Sequence, residues 1–236
     1  MPRGLAIETS GRIGSVALVE DGNVVGEDCF EHGLRHAAEM VPRIDQLVRA
    51  REWTPGDIRE IYVSIGPGSF TGLRIGVTLA KTLAFATGAL IAAVPSVQVL
   101  ARNAQPEARQ VIVVLDAKRE QIFTSRLSRA QEQAPWTTEE PAHLDSLTNM
   151  LSRSPRPVYL IGEGIPYHSK FLDVGDSSVI VTPPEFWRAR AAAVAEIGYA
   201  MCRTGQTTEP QRLLPLYIRK PEAEEKAEAA GRSLKI

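Results

Sequence analysis

Leu5-Ala-Ile-Glu8, Ser15-Val-Ala-Leu-Val-Glu20 and Asn23-Val-Val-Gly-Glu-Asp-Cys-Phe30 are three strand-length runs packed into 26 residues. Asp21-Gly22 separates the last two. Both positions tolerate positive φ, which makes a tight hairpin. The first run is apolar and closes on an acid. Beyond it, His36–Arg51 carries Met40, Ile44, Leu47 and Val48 at helical spacing. Ile58–Ile65 reads as a buried strand, Thr71–Ala86 as a second helix and Leu90–Val94 as a short strand. Pro95-Ser96 opens a third helix over Ser96–Asn103. The second half repeats this order. Val111–Leu115 is an apolar strand closing on Asp116, followed by strands Gln121–Leu127 and Trp136–Glu139. A helix at Asp145–Arg153, a strand at Val158–Ile161, a short element over 166–173, a strand at Ser178–Val181 and a long helix at Glu185–Thr204 complete it.

Each half thus reads β-β-β-α-β-α-β-α. This predicts an α/β fold of two duplicated ribonuclease H-like lobes, the plan of the actin-like ATPase superfamily. The expected division is 1–105 for the N-terminal lobe and 106–219 for the C-terminal lobe. Residues 220–236 are mostly Glu, Lys and Ala, a composition that buries little and predicts a solvated tail. The 236 residues carry a net charge of -1, so no bulk field draws nucleic acid. Cys29 and Cys202 lie far apart with no CxxC, which argues against a disulfide scaffold or a cysteine metal site. No signal-peptide or membrane-spanning run is evident, and a cytoplasmic protein is expected.

The sharpest local feature is Gly66-Pro67-Gly68-Ser69-Phe70-Thr71-Gly72-Leu73-Arg74, between a strand and a helix. Free amides at the helix start could hold an anion. No Gly-Lys-Ser/Thr follows, and the glycine spacing is not a dinucleotide fingerprint. No serine sits centrally between glycines as a nucleophile elbow requires. A structural turn with Ser69 or Thr71 as N-cap is favoured. Glu8 and Asp116 are placed like the metal-and-phosphate acids of actin-like ATPases. Asp116 is followed by Ala117-Lys118-Arg119 rather than glycine, and Gly162-Glu163-Gly164 puts a carboxylate where phosphate would sit. A degenerate cleft without catalytic residue, metal or cofactor is expected. His32 and His36 stand one helical turn apart, but Gly33 replaces the general base of a zinc-protease helix, so surface histidines are favoured over ligands. In the second helix Gly72, Gly76, Ala80 and Ala84 form a ridge of small residues, and the remaining perimeter is largely apolar. A partner surface is therefore expected from Met40, Ile44, Leu47, Leu73, Gly76, Val77, Ala80 and Ala84, set against packing within one lobe.

Five segments in order resemble the TsaB (YeaZ) family: Leu5–Ser10, His36–Pro42, Gly66–Gly76 with Lys81, Asp116–Phe123, and Leu214-Pro-Leu-Tyr-Ile-Arg219. The resemblance covers most of the chain. It implies a non-catalytic subunit that supports TsaD, the transferase forming N6-threonylcarbamoyladenosine at position 37 of tRNAs reading ANN codons. It also implies the ATPase TsaE as a further partner, a homodimer when alone, N-lobe helices as the shared interface, and only indirect contact with tRNA. The alternative is a metal-dependent phosphotransferase or ATPase of the same fold. Glu8 departs from the family's usual Asp, and Ala38 from its usual polar residue.

Overall fold

A computed structural model describes residues 2–30, 36–173 and 175–219. His32, the side chain of His36 and the tail 220–236 lie outside the described residues. The chain runs β1 (Arg3–Glu8), β2 (Gly14–Glu20), β3 (Asn23–Phe30), α1 (His36–Ala50), β4 (Glu60–Gly66), α2 (Phe70–Thr87), β5 (Leu90–Pro95) and α3 (Ser96–Ala101). It continues through β6 (Gln110–Asp116), β7 (Ile122–Ser128), β8 (Thr137–Asp145), α4 (Leu147–Arg153), β9 (Val158–Ile161), α5 (Ile165–His168), β10 (Val179–Val181) and α6 (Ala191–Arg203). One sheet has the order β3-β2-β1-β4-β5 and the other β10-β9-β6-β7-β8. In both, the first strand is antiparallel to the second and parallel to the fourth. The two halves therefore share one topology, as the duplicated sequence pattern predicts. Asp21 and Gly22 have φ of 51° and 81°, the paired positive values of a tight hairpin.

Three apolar layers hold the fold. One lies between the first sheet and α1 with α2. Another fills the space between the two sheets, around α3 and α6. The third lies beyond the second sheet, beneath α4 and α5. Strands β1 and β6 are central in their sheets, with residues 4–8 of the one and 111–114 of the other buried. That is why both read as unbroken apolar runs rather than alternating ones. The last helix of each half serves the other: α6 crosses the first sheet, and α3 reaches β6 and β7. A Cβ on Gly198 of α6 would lie 2.5 Å from the Tyr62 Cβ, so only glycine permits this approach. The join near Gln105 is pinned by Arg129, whose guanidinium donates to the carbonyls of Gln105, Pro106 and Ala108.

Two elements differ from the sequence expectation. The helix expected over Glu185–Thr204 begins only at Ala191. Before it, Trp187 Nε1 donates to the Thr182 carbonyl, and Asn103 donates to the Phe186 and Arg188 carbonyls. These tertiary bonds hold the segment in a 3₁₀ turn at Pro184–Phe186 and an extended link. The third strand of the second half extends to Asp145, well beyond Glu139. It is an edge strand, so Pro141 costs no ladder bond. Its polar residues pair instead with Arg126 and Arg153. The short element over 166–173 resolves into α5 and a 3₁₀ turn at Ser169–Phe171.

Candidate functional site: the cleft between the lobes

The C-terminal ends of β1 and β6 face each other across a cleft. The first lobe contributes the β1–β2 turn, residues 9–13, and the glycine loop after β4. The second contributes the β6–β7 turn, the Gly162–Gly164 turn and Tyr167. Two cavities open there, of about 340 and 500 Å3. The smaller is lined by Ser10, Arg12, Ser69, Lys118 and Glu163 among others. The larger is more aromatic, with Phe70, Phe123 and Tyr217. Asp116 lines both.

The glycine loop is shaped by close approach. A Cβ on Gly68 would lie 2.3 Å from the Ser10 carbonyl oxygen, and one on Gly72 would lie 2.1 Å from the Thr9 carbonyl oxygen. Ser69 N donates to the Ser10 carbonyl at 2.8 Å, and Ser69 Oγ accepts from Gly72 N at 3.3 Å. Ser69 is thus the N-cap of α2. Gly66 has φ of 112° and Pro67 follows a cis bond. The loop presses the start of α2 onto the β1–β2 turn.

The two acids expected in the cleft part company. Asp116 is there, with Oδ2 2.7 Å from Lys118 Nζ and Oδ1 3.3 Å from His168 Nε2. Partial burial pushes its carboxyl up, but the hydrogen bonds from Lys118 and His168 outweigh this and hold it below its ordinary value. Glu8 lines neither cavity. It is 0% exposed, tucked behind the Ser10 turn, because β1 is buried over its full length beyond Arg3. Its Oε1 accepts from Ser10 N at 2.5 Å, and Oε2 has no hydrogen-bond partner among the described residues. Burial pushes this carboxyl up, outweighing the hydrogen bonds from Ser10 and Ser64 that pull it down.

Two further features shape the cleft. Lys118, Arg119 and Glu120 all have positive φ, of 64°, 54° and 58°. For residues with a Cβ this conformation costs about 1–2 kcal/mol each. Hydrogen bonds of Ala117 N to the Gln121 carbonyl and Gln121 N to the Lys118 carbonyl hold the turn. Arg219 clamps it from outside, donating to the Ala117 carbonyl and Gln121 Oε1. The second feature is the segment that delivers Arg219. Leu216 N donates to the Ile65 carbonyl at 2.7 Å, and Tyr217 lies 5.0 Å from Phe70. The Arg74 guanidinium covers Phe70 at 4.0 Å and its Nε donates to Tyr217 at 3.0 Å. Among the signature residues Pro67, Gly68, Phe70 and Arg74 therefore border the larger cavity or its rim, while Thr71 is exposed.

The expected partner surface is turned inward. Met40, Ile44, Leu73, Val77, Ala80 and Ala84 are buried within the first lobe, and Gly76 with them. Leu47 is half-buried and packs on the same core. The physical reason is the approach of α2 to β1. A Cβ on Gly76 would meet Thr9 Oγ1 at 2.4 Å and Ile7 Cγ2 at 3.4 Å, so the small-residue ridge admits the end of β1 and the turn that follows it. What these helices turn outward is Val41, 52% exposed, and Phe85, 61% exposed, with Thr78 and Thr82 on the same side of α2 as Phe85. Among the described residues no cluster of His, Cys, Asp or Glu is arranged to hold a metal ion. Among them, too, no helix is long and apolar enough to cross a membrane.

A family model described as TsaD, tRNA N6-adenosine threonylcarbamoyltransferase, matches residues 31–166, more than half of the chain, and places it in that broader family. The tRNA threonylcarbamoyladenosine biosynthesis protein TsaB of Bacillus subtilis (strain 168) is 30% identical over 94% of this chain and 96% of its own length. The chain belongs to the TsaB family. The TsaB of Escherichia coli (strain K12) is 27% identical over 91% of this chain and 94% of its own. The solved structure of YeaZ from Pseudomonas aeruginosa, 23% identical, matches with a TM-score of 0.75 over 92% of this chain and 100% of that one. A second Pseudomonas aeruginosa structure, described by similarity to peptidase YeaZ, reaches 0.78 at 22% identity, covering 93% and 100%. These two structures share the fold of this chain.

Proposed function

We propose that this chain is the non-catalytic partner subunit of a TsaD-type transferase, acting in the cytoplasm to support formation of threonylcarbamoyladenosine in tRNA. The name carried by full-length relatives points to that pathway. The observation that carries the non-catalytic reading is the state of the cleft acids. Asp116 is paired with Lys118 and hydrogen-bonded to His168, and Glu8 is sealed from the cavity. A phosphotransferase needs a carboxylate free to hold a metal through water, and these two are spent on structure. Support for a protein partner comes from the helices of the first lobe. Phe85 projects from α2 at 61% exposure and Val41 from α1 at 52%, apolar surface that a partner would cover. In this reading residues 1–105 meet the partner, with the outward sides of α1 and α2 replacing the buried residues as the interface. The same surface serves a homodimer when the transferase is absent, TsaE joins the assembled pair, and tRNA is met through the transferase.

The test is reconstitution. The purified chain, a TsaD protein, TsaE and unmodified tRNA are supplied with the threonylcarbamoyl donor, and the modified nucleoside is measured by mass spectrometry. Modification is expected only with TsaD present, and the chain is expected to co-purify with TsaD. Modification by the chain alone, or rapid ATP turnover by it, would replace this reading with an enzyme.

A further inference from the structure

Where the edge strand β8 meets the end of α4, an imidazole and a guanidinium stand on the same pair of carboxylates. Arg153 Nη2 lies 2.6 Å from both Glu140 Oε1 and Asp145 Oδ2. His143 Nε2 lies 3.4 Å from the same Glu140 oxygen and 3.6 Å from the same Asp145 oxygen. The two side chains also meet each other, Arg153 Nη2 to His143 Nε2 at 3.1 Å. Their partners fix the tautomer. His143 Nδ1 faces the Pro141 carbonyl at 2.8 Å, and a carbonyl only accepts, so Nδ1 carries the proton. A guanidinium only donates, so Nε2 is bare and the ring is neutral. Among the described residues, the charged groups facing the ring are Glu140 and Asp145 on its own strand and Arg153 on α4. Arg126 of β7 stands behind them, 3.8 Å from Glu140 Oε2.

A proton on this ring upsets the balance. The hydrogen bond from Arg153 holds the Glu140 carboxyl below its ordinary value. Partial burial pushes Asp145 up, but the bonds from Arg153, Ser146 and Asn149 outweigh it and hold this carboxyl low as well. Both stay charged over the range in which an imidazole titrates. They balance Arg126 and Arg153, so an imidazolium is a third cation for two anions. Its Nε2–H repels the guanidinium and needs an acceptor, and two carboxylate oxygens lie within a small ring movement. Of Arg153's two contacts, Asp145 is the weaker held. Glu140 is gripped by both Nε, at 3.1 Å, and Nη2, whereas Asp145 meets Nη2 alone. We propose that His143 is an acid-operated switch: the protonated ring takes Asp145 from Arg153 and frees the end of α4. The other Asp145 oxygen sets the consequence. Oδ1 accepts from Ser146 N at 2.7 Å and from Asn149 Nδ2 at 3.1 Å, at the start of the same helix. Asp145 thus holds α4 at both ends, and acid releases only the far one. The side chains of His143 and Arg153 are 32% and 39% exposed, so protons reach the ring and the guanidinium has water to move into. The switch lies apart from the cleft and stands whether or not the chain serves TsaD.

The experiment takes the full chain from about pH 8 to about pH 5 by NMR, reading the His143 ring and the Arg153 Nε–H. The two are expected to move with one midpoint. Hydrogen exchange of the amides at the end of α4, corrected for its intrinsic pH dependence, should quicken about two- to fivefold below that midpoint, the effect of losing one partly exposed ion pair. Exchange at the start of the helix should hold steady. In His143→Gln, which keeps a neutral acceptor for Arg153, both the Arg153 step and the faster exchange should vanish. An Arg153 resonance that ignores the His143 midpoint, a step that survives in His143→Gln, or equal loosening at both ends of α4 would each overturn the proposal. Should His143→Gln fail to fold, His143→Asn is titrated in the same way and judged by the same outcomes.

Discussion

Phe85→Ala separates an outward contact from internal packing. Phe85 is 61% exposed, so most of its ring gains nothing in the lone chain. Fully burying a phenylalanine side chain is worth about 1.5–3 kcal/mol. The exposed share that a partner would cover is then worth about 1–2 kcal/mol per copy. A twofold-symmetric dimer uses the residue twice, which brings the loss to about 2–4 kcal/mol, or roughly 30- to 1,000-fold in the dissociation constant. The lone chain should scarcely notice, since an exposed substitution changes stability by about 0.5 kcal/mol or less. Sedimentation equilibrium gives the self-association constant, a thermal melt gives the fold, and affinity for TsaD is measured alongside. A folded Phe85→Ala chain that dimerises and binds TsaD as tightly as the native one would refute this surface. Ala80→Arg is the contrast. Ala80 is 0% exposed beneath the same helix, so an arginine there should abolish folding rather than pairing.

The remaining expectations concern the cleft. Gly72→Ala should destabilise the chain by several kcal/mol, because its Cβ would meet the Thr9 carbonyl at 2.1 Å, whereas Gly88→Ala, with φ of 73° and open space around it, should cost only about 1 kcal/mol; comparing the two melting midpoints checks this. Glu8 predicts a pH dependence. Its folded carboxyl is raised above the ordinary value of 4.5, so from pH 4.5 upward the unfolded chain gives up a proton that the folded chain keeps. Stability is therefore lost as pH rises from 4.5 through the folded value. Glu8→Gln, which keeps the acceptor for Ser10 N, should remove that loss and raise the melting temperature at neutral pH; a native melting curve indifferent to pH over that window would contradict it.

Much of the fold was legible because its signals are local. The runs Leu5–Ile7 and Val111–Leu115 are apolar throughout, as the middle of a central strand buried on both faces must be. Asp21-Gly22 can take the two positive φ values that a tight turn needs. The glycine loop was legible as a turn, and close approach now explains it, since Gly72 sits in a helix and has no unusual φ to satisfy. Legibility failed where the deciding contact was distant. The Trp187 and Asn103 bonds that delay α6 cannot be inferred from an alanine-rich stretch. The polar edge strand β8 shows little periodicity, because much of its surface remains wet.

The sequence by itself determined the duplicated element order, the two hairpin-and-crossover sheets and the family, because periodicity, turn chemistry and motif order are written in consecutive residues. Only the tertiary structure decided which side of α2 faces out, that Glu8 is sealed while Asp116 meets the cleft, and that Glu163 reaches the Arg12 amide. A ridge of small residues marks close approach without naming what approaches, and here it was β1 of the same lobe. A carboxylate in a glycine turn carries its charge in the sequence. Its partner, 151 residues earlier in the chain, is supplied only when the two lobes fold against each other.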